Sequence, residues 1–109
     1  MISIKYILGL IEGEGCFFYN KYINKKNWTQ VQTSFCIVMH RRDSNLLRLV
    51  RKILGIGKIR EYDYESPRVI FSITNKKDLK RLIKIIDSNG GFFGYKKAQY
   101  IKWKKDNSF

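Results

Sequence analysis

The chain has 109 residues, enough for one small domain with one core, and carries a net charge of +13 from 22 Lys and Arg against 9 Asp and Glu. A field of that sign and size favours a polyanionic partner, with nucleic acid the default. Two cysteines without metal-type spacing and a single histidine, His40, exclude a zinc finger and give Ser-His or Cys-His chemistry little material, so any reaction is expected to run on carboxylates, lysine and a metal.

Ser3 is an N-cap candidate for a mostly apolar helix from Ile4 to Gly13. Its end is unusual. Residues 7–15 read Ile-Leu-Gly-Leu-Ile-Glu-Gly-Glu-Gly, an apolar run closing in two carboxylates interleaved with glycines, and the pattern occurs once. Gly9 and Gly13 are four apart, on one helix face, where small side chains let another backbone come close. That neighbour is either a sheet or a second copy of the same helix. From Cys16 to Asn24 the chain turns strand-like, Asn24-Lys25-Lys26-Asn27 forms a turn, and Trp28 to Met39 alternates. In the alternating run Thr29, Val31, Thr33, Phe35 and Ile37 share one face, and Gln30, Gln32, Ser34 and Cys36 share the other. These segments make a long hairpin.

Asp43 or Ser44 caps an amphipathic helix whose stripe is Leu46, Leu49, Val50, Ile53 and Leu54, ended by Gly55. Lys58 to Tyr64 and Arg68 to Thr74 form a second hairpin turning at Glu65-Ser66-Pro67. Asn75 caps a third helix with Leu79, Leu82, Ile83 and Ile86 inward and Lys76, Lys77, Lys80, Arg81 and Lys84 outward. Asn89-Gly90-Gly91 stops it, and a last helix runs from about Tyr95 to Lys104. The order is an α+β layout, with helices packed on one face of a four-stranded antiparallel sheet.

The other sheet face is then open. The first hairpin offers it Asn20, Tyr22, Asn24, Gln30, Gln32 and Ser34; the second offers Lys58, Arg60, Tyr62, Arg68 and Ser72. Amides suit adenine, arginine suits guanine and lysine suits phosphate, and a β-ribbon fits the major groove. A strand of ~9 residues at ~3.3 Å each spans ~30 Å, about nine base pairs. The competing view, an ordinary solvated polar face, is outweighed by the basic charge and the lack of acids among these positions.

The nine residues resemble the motif that names the LAGLIDADG homing endonucleases. Gly9, Leu10, Ile11, Glu12, Glu14 and Gly15 fit it when Glu stands for Asp, and Ile7, Leu8 and Gly13 replace Leu, Ala and Ala. The αββαββα(α) order and the late basic segment Tyr95-Lys96-Lys97-Ala98-Gln99-Tyr100-Ile101-Lys102-Trp103 extend the resemblance over nearly the whole chain. It implies a saddle-like sheet in one endonuclease domain, residues 1–109, and a homodimer cutting double-stranded DNA in a staggered break at a long pseudo-palindromic site. The motif helices would meet at the two-fold axis through Gly9, Gly13, Leu8 and Glu12. Glu14 of each copy would hold Mg²⁺, with Mn²⁺ or Ca²⁺ as substitutes in vitro, and the Gly13 carbonyl would be an added ligand. Lys96, with Lys97 as alternate, would be the central lysine. Glu12 would support rather than catalyse.

Where the family carries a polar residue near the end of the second strand, this chain has Val38-Met39-His40, a departure at Met39 that bears on the solvent network. His40 is read as a surface or phosphate-contacting residue, and Tyr100 and Trp103 as core or interface aromatics. The alternative function is an RNA-binding intron maturase, with host intron RNA as partner, or a non-cleaving DNA binder of the same fold; retention of Glu14 argues against both. No membrane association is expected, because no apolar run approaches the ~20 residues of a span and no lipidation motif is present. Lys5, Glu12 and Glu14 interrupt the apolar start, so a signal peptide is not expected. The cysteines are expected reduced, in an intracellular compartment. The many Lys, Ile, Asn, Tyr and Phe residues have AT-rich codons and point to a mitochondrion or chloroplast.

Overall fold

A computed structural model describes residues 2–23, 25–61 and 66–109. Its elements are α1 (Ile4–Glu14), β1 (Gly15–Ile23), β2 (Thr29–His40), a 3₁₀ turn (Arg41–Asp43), α2 (Ser44–Leu54), β3 (Lys58–Glu61), β4 (Arg68–Ile73), α3 (Lys76–Ser88) and α4 (Tyr95–Asp106). The expected turn at Asn24 and the second-hairpin residues 62–65 lie outside the described residues. The sheet is antiparallel throughout, in the order β1-β2-β4-β3.

Local chemistry explains where the elements begin and end. The Ser3 hydroxyl accepts the Tyr6 N–H at 3.1 Å and opens α1. Asn75 accepts the Asp78 N–H at 2.8 Å and opens α3. Gly55 closes α2 in the left-handed region at φ 72°, where a β-carbon would be strained. Asp43 sits at the α2 N-cap without a side-chain bond. The Ser44 hydroxyl instead donates to Glu61 Oε1 at 2.6 Å, and Arg48 donates to the same oxygen at 2.9 Å. These bonds tie α2 to β3.

The core lies between the sheet and the helices. From the sheet come Phe17, Phe35, Ile37, Val69, Phe71 and Ile73; α1 adds Ile7, Leu8 and Ile11, and α3 adds Leu79, Leu82 and Ile86. In α2 the fully buried line is Leu47, Val50 and Leu54. The expected stripe omitted Leu47, and its Leu46, Leu49 and Ile53 are only half-buried. The helix is rotated by one position because two adjacent apolar lines, 46-49-53 and 47-50-54, compete for the sheet. Phe17 packs on Phe35, Phe92, Tyr100 and Trp103, with ring centroids 4.9–6.1 Å apart. Tyr100 and Trp103 are therefore core residues. The Trp103 indole N–H donates to the Phe18 carbonyl at 2.9 Å and fastens α4 to β1.

Beyond this core the first hairpin projects. Residues 18–23 of β1 and 29–32 of β2 are exposed on whichever face they lie. The longest dimension reaches 46 Å.

Candidate nucleic-acid interface and acidic centre

Strand alternation and pairing together decide which side chains share the open face. Directly opposed residues point the same way. Cys16, Phe18, Asn20 and Tyr22 oppose Cys36, Ser34, Gln32 and Gln30; Cys36 and His40 oppose Ser72 and Arg68; Lys58 and Arg60 oppose Ser72 and Ile70. Every described residue expected at the nucleic-acid interface thus falls on one face: Asn20, Tyr22, Gln30, Gln32, Ser34, Lys58, Arg60, Arg68 and Ser72. Asn24 and Tyr62 lie outside the described residues. Phe18, half-exposed on the same face, was missed because it was read as one of a run of aromatics. Its parity with Cys16 and Asn20 was the available signal.

The motif's two carboxylates have opposite surroundings. Glu12 turns into its own chain: Oε1 accepts the Phe93 N–H at 2.9 Å and Oε2 the Gly94 N–H at 3.1 Å. Gly94 is the N-cap of α4 and brings no side chain of its own. Glu12 supplies the anion that the positive helix start favours. It was expected to support rather than catalyse, and within its own chain it supports the start of α4. Glu14, the last residue of α1, is exposed and makes no hydrogen bond among the described residues.

Glu14 lines an open hollow of about 400 Å³ with Val38, Met39, His40, Arg42, Asp43, Pro67 and Arg68. Two arginines thus flank an acid that is unpaired among the described residues. Met39 opposes Val69, so it faces the core side and cannot supply the expected polar group. Alternation gives the open face His40 instead, whose Nδ1 accepts the Arg42 N–H at 3.1 Å. Arg42 was missed, since the 3₁₀ turn carrying it has no sequence periodicity.

Lys96, near the start of α4, is part-buried. Its ammonium donates to the Gly15 carbonyl and to Gln99 Oε1, the latter at 3.0 Å. It is fixed one residue from Glu14, whereas the Lys97 side chain is exposed. Cys36, on the open face, has its thiol pushed up by burial first and by neighbouring Cys16 second.

The glycines divide in the same way. A β-carbon on Gly15 would stand 2.8 Å from the Ile11 carbonyl oxygen, so backbone excludes it. A β-carbon on Gly9 or Gly13 would meet nothing within 4 Å. Packing against the chain's own sheet, one of the two expected uses of these glycines, is thereby excluded. Leu8, in contrast, is 6% exposed and belongs to the core. Tyr6, Phe93 and Tyr95 are exposed apolar residues, at 50%, 89% and 87%. Phe93 also borders a hollow of about 350 Å³ with Lys5, Leu8, Gly9 and Glu12.

A divalent cation would need hard oxygen donors. Glu14 provides an open carboxylate, and Gly13 lies in the last helical turn, where carbonyls run out of helical donors. Among the described residues no cluster of three or more His, Cys, Asp or Glu forms in one chain. These donors fit such an ion in type, and any further ligands would have to come from outside these residues.

A sheet carrying helices on one side and polar side chains on the other, with an acid-ended helix at its head, defines a class. The chain matches the LAGLIDADG endonuclease family over residues 7–106 and belongs to that family. It is 29% identical over 98 residues to "Probable intron-encoded endonuclease 4" of Neurospora crassa. The match covers 90% of this chain but 16% of that relative, so the chain spans about a sixth of its length. Among solved structures, the homing endonuclease I-TnaI superposes with a TM-score of 0.83 at 26% identity, over 95% of this chain and 70% of that one. The archaeal intron-encoded homing endonuclease I-Vdi141I, complexed with DNA, superposes with a TM-score of 0.81 at 26% identity, over 94% and 64%.

Proposed function

We propose that the chain is a site-specific DNA endonuclease that works as a homodimer, cutting a long pseudo-palindromic site in a staggered double-strand break. The observation that carries this reading is Glu14. It is exposed and makes no hydrogen bond among the described residues, at the end of a helix whose glycine face is open, with Lys96 bonded to the carbonyl of the next residue and the polar sheet face nearby. Each copy brings one such acid, and two copies bring the pair that two strands require. The open stripe at Gly9 and Gly13 suits the close approach of a second α1, and exposed Tyr6, Phe93 and Tyr95 supply apolar area around it. The DNA-bound relative supports double-stranded DNA as the partner.

When bound, Mg²⁺ supplies charge neutralisation at the phosphate and a lowered pKa for an attacking water. Glu14 would hold it, with the Gly13 carbonyl. The Lys96 ammonium, locked by Gly15 and Gln99, sets a fixed positive charge where negative charge develops on the phosphate, which is most effective when preorganised. Arg42 at the hollow attracts and aligns the DNA backbone. Asn20, Gln30, Gln32 and Arg60 reach base edges, and Lys58 reaches phosphate. An intron in a mitochondrial or chloroplast genome is the proposed source; the name of the fungal relative supports the intron, and the many residues whose codons are AT-rich support the genome.

The test is a plasmid carrying the uninterrupted insertion locus, incubated with Mg²⁺. The parent chain should cut it at one place, and Glu14→Gln should bind it equally well but cut at least 100-fold more slowly, as loss of a charge-stabilising group implies. Cutting retained by Glu14→Gln would remove Glu14 from the reaction. Tight binding with no cutting by the parent would leave a splicing or regulatory binder, with host intron RNA as the next ligand.

A further inference from the structure

We infer that Cys16 and Cys36 form an oxidisable dithiol across β1 and β2, that a small disulfide such as oxidised glutathione closes it, and that the closed form cuts DNA poorly. The effect on cutting rests on the endonuclease reading above; the dithiol itself does not. The two residues are direct partners in the ladder, both free and both half-buried on the open face. They stand in one row across the sheet with Ser72 and Lys58. Opposed strand residues have Cα atoms ~4.5–5.5 Å apart, inside the ~4.4–6.8 Å that a disulfide spans.

Closure is not free of movement. Opposed Cβ atoms lie ~4.5–5.5 Å apart, whereas a disulfide holds them near ~3.8 Å. The strands must draw together by about 1 Å at this pair. The shift falls on the residue following Gly15, whose carbonyl fixes Lys96, and two residues after Glu14. A misplacement of ~1 Å at a reacting centre can slow a reaction about 100-fold. The same strain makes the bond readily reduced, so the closure is reversible.

The chemistry balances. The sulfur of one cysteine attacks the small disulfide, forming a mixed disulfide and releasing one small thiol. The second cysteine then attacks the first cysteine's sulfur, forming the Cys16–Cys36 bond and releasing the second small thiol. The protein loses two protons and two electrons, and the small disulfide takes up both pairs to become two small thiols.

The experiment treats the whole chain with oxidised glutathione and reads intact mass, non-reducing gels and cutting rate. An intrachain loss of two hydrogens, about 100-fold slower cutting, and recovery with dithiothreitol are expected. Cys36→Ser and Cys16→Ser should keep their cutting rates under the same treatment. Absence of an intrachain disulfide overturns the dithiol. A disulfide that leaves the cutting rate unchanged overturns the control. A reduced parent chain that cuts nothing overturns the endonuclease reading and the effect on cutting with it, while the mass shift still decides the dithiol.

Discussion

The two faces of the sheet alternate along the same strands yet draw on different chemistry. Toward the helices stand Phe17, Phe35, Ile37, Val69 and Phe71, all buried. Away from them stand Asn20, Gln32, Ser34, Arg60 and Arg68, held in place by the same backbone. One face sets stability and the other is left free for contact. Within the motif the contrast shrinks to two residues. Glu12 is bound to the start of α4, and Glu14 is bound to nothing among the described residues. The comparison teaches that identical side chains take structural or chemical roles according to which way the backbone turns them.

Adjacent phenylalanines offer the hardest test of that division. Phe17→Ala should remove about 3–5 kcal/mol of stability, the usual loss for a buried aromatic, read by urea unfolding. Phe18→Ala should change stability by less than ~1 kcal/mol. Equal losses would break the two-face picture.

Next in size are the arginines of the open face. Arg60→Ala and Arg68→Ala should each relax base preference by about 1–3 kcal/mol at one position, with folding unchanged. Binding measured across a panel of altered sites checks this, and uniform weakening at every site would mark them as phosphate contacts. Glu12→Gln should destabilise the fold by about 1–2 kcal/mol, since it weakens charge-assisted bonds to two N–H groups. Glu14→Gln should leave the unfolding midpoint unchanged, and a matching loss there would erase the distinction between the two acids.

Gly9→Ala sharpens the picture with a change of sign. Alanine raises helix propensity by up to ~1 kcal/mol, and Gly9 has room within its own chain. The monomer should become slightly more stable while self-association weakens, read by sedimentation equilibrium. Unchanged association would remove Gly9 from the dimer contact.

The smallest effect belongs to Glu61, a polar exception at the rim of the helix side. The Ser44 hydroxyl, and then Arg48, holds its carboxyl below the usual carboxylate range. A depressed folded value means the contribution is present above the unfolded pKa of ~4.3 and is lost as pH falls through the lower folded value. Glu61→Gln should lower stability slightly at neutral pH, leave it unchanged once the pH is below the folded value, and so flatten the acid limb of the stability curve just below pH ~4.3.

Much of this arrangement is legible in the residues. Ser3, Gly55 and Asn75 mark helix ends because capping is local chemistry. The alternation from Thr29 to Ile37 places both sheet faces because period two is a local signal. What periodicity cannot carry is contact between distant segments. Glu12 meets residues 81 and 82 positions away. The Lys96 bond to Gly15 spans another 81, and it separates Lys96 from Lys97 where adjacency in sequence could not. The pairing of β2 with β4 is likewise non-local. Leu47 escaped because α2 carries two apolar lines, and only the packed sheet chooses between them.

The projecting hairpin has a consequence for how such a chain changes over generations. Its distal residues touch little of the core, so replacing Asn20, Tyr22, Gln30 or Gln32 removes little buried area and leaves folding nearly untouched. Mutations there are close to neutral for survival of the fold but not for what the surface recognises. On the proposed reading, this lets target preference drift through many intermediate sequences without any of them failing to fold. A mobile gene that must follow a shifting host locus is well served by a reading surface held away from the part that keeps it intact.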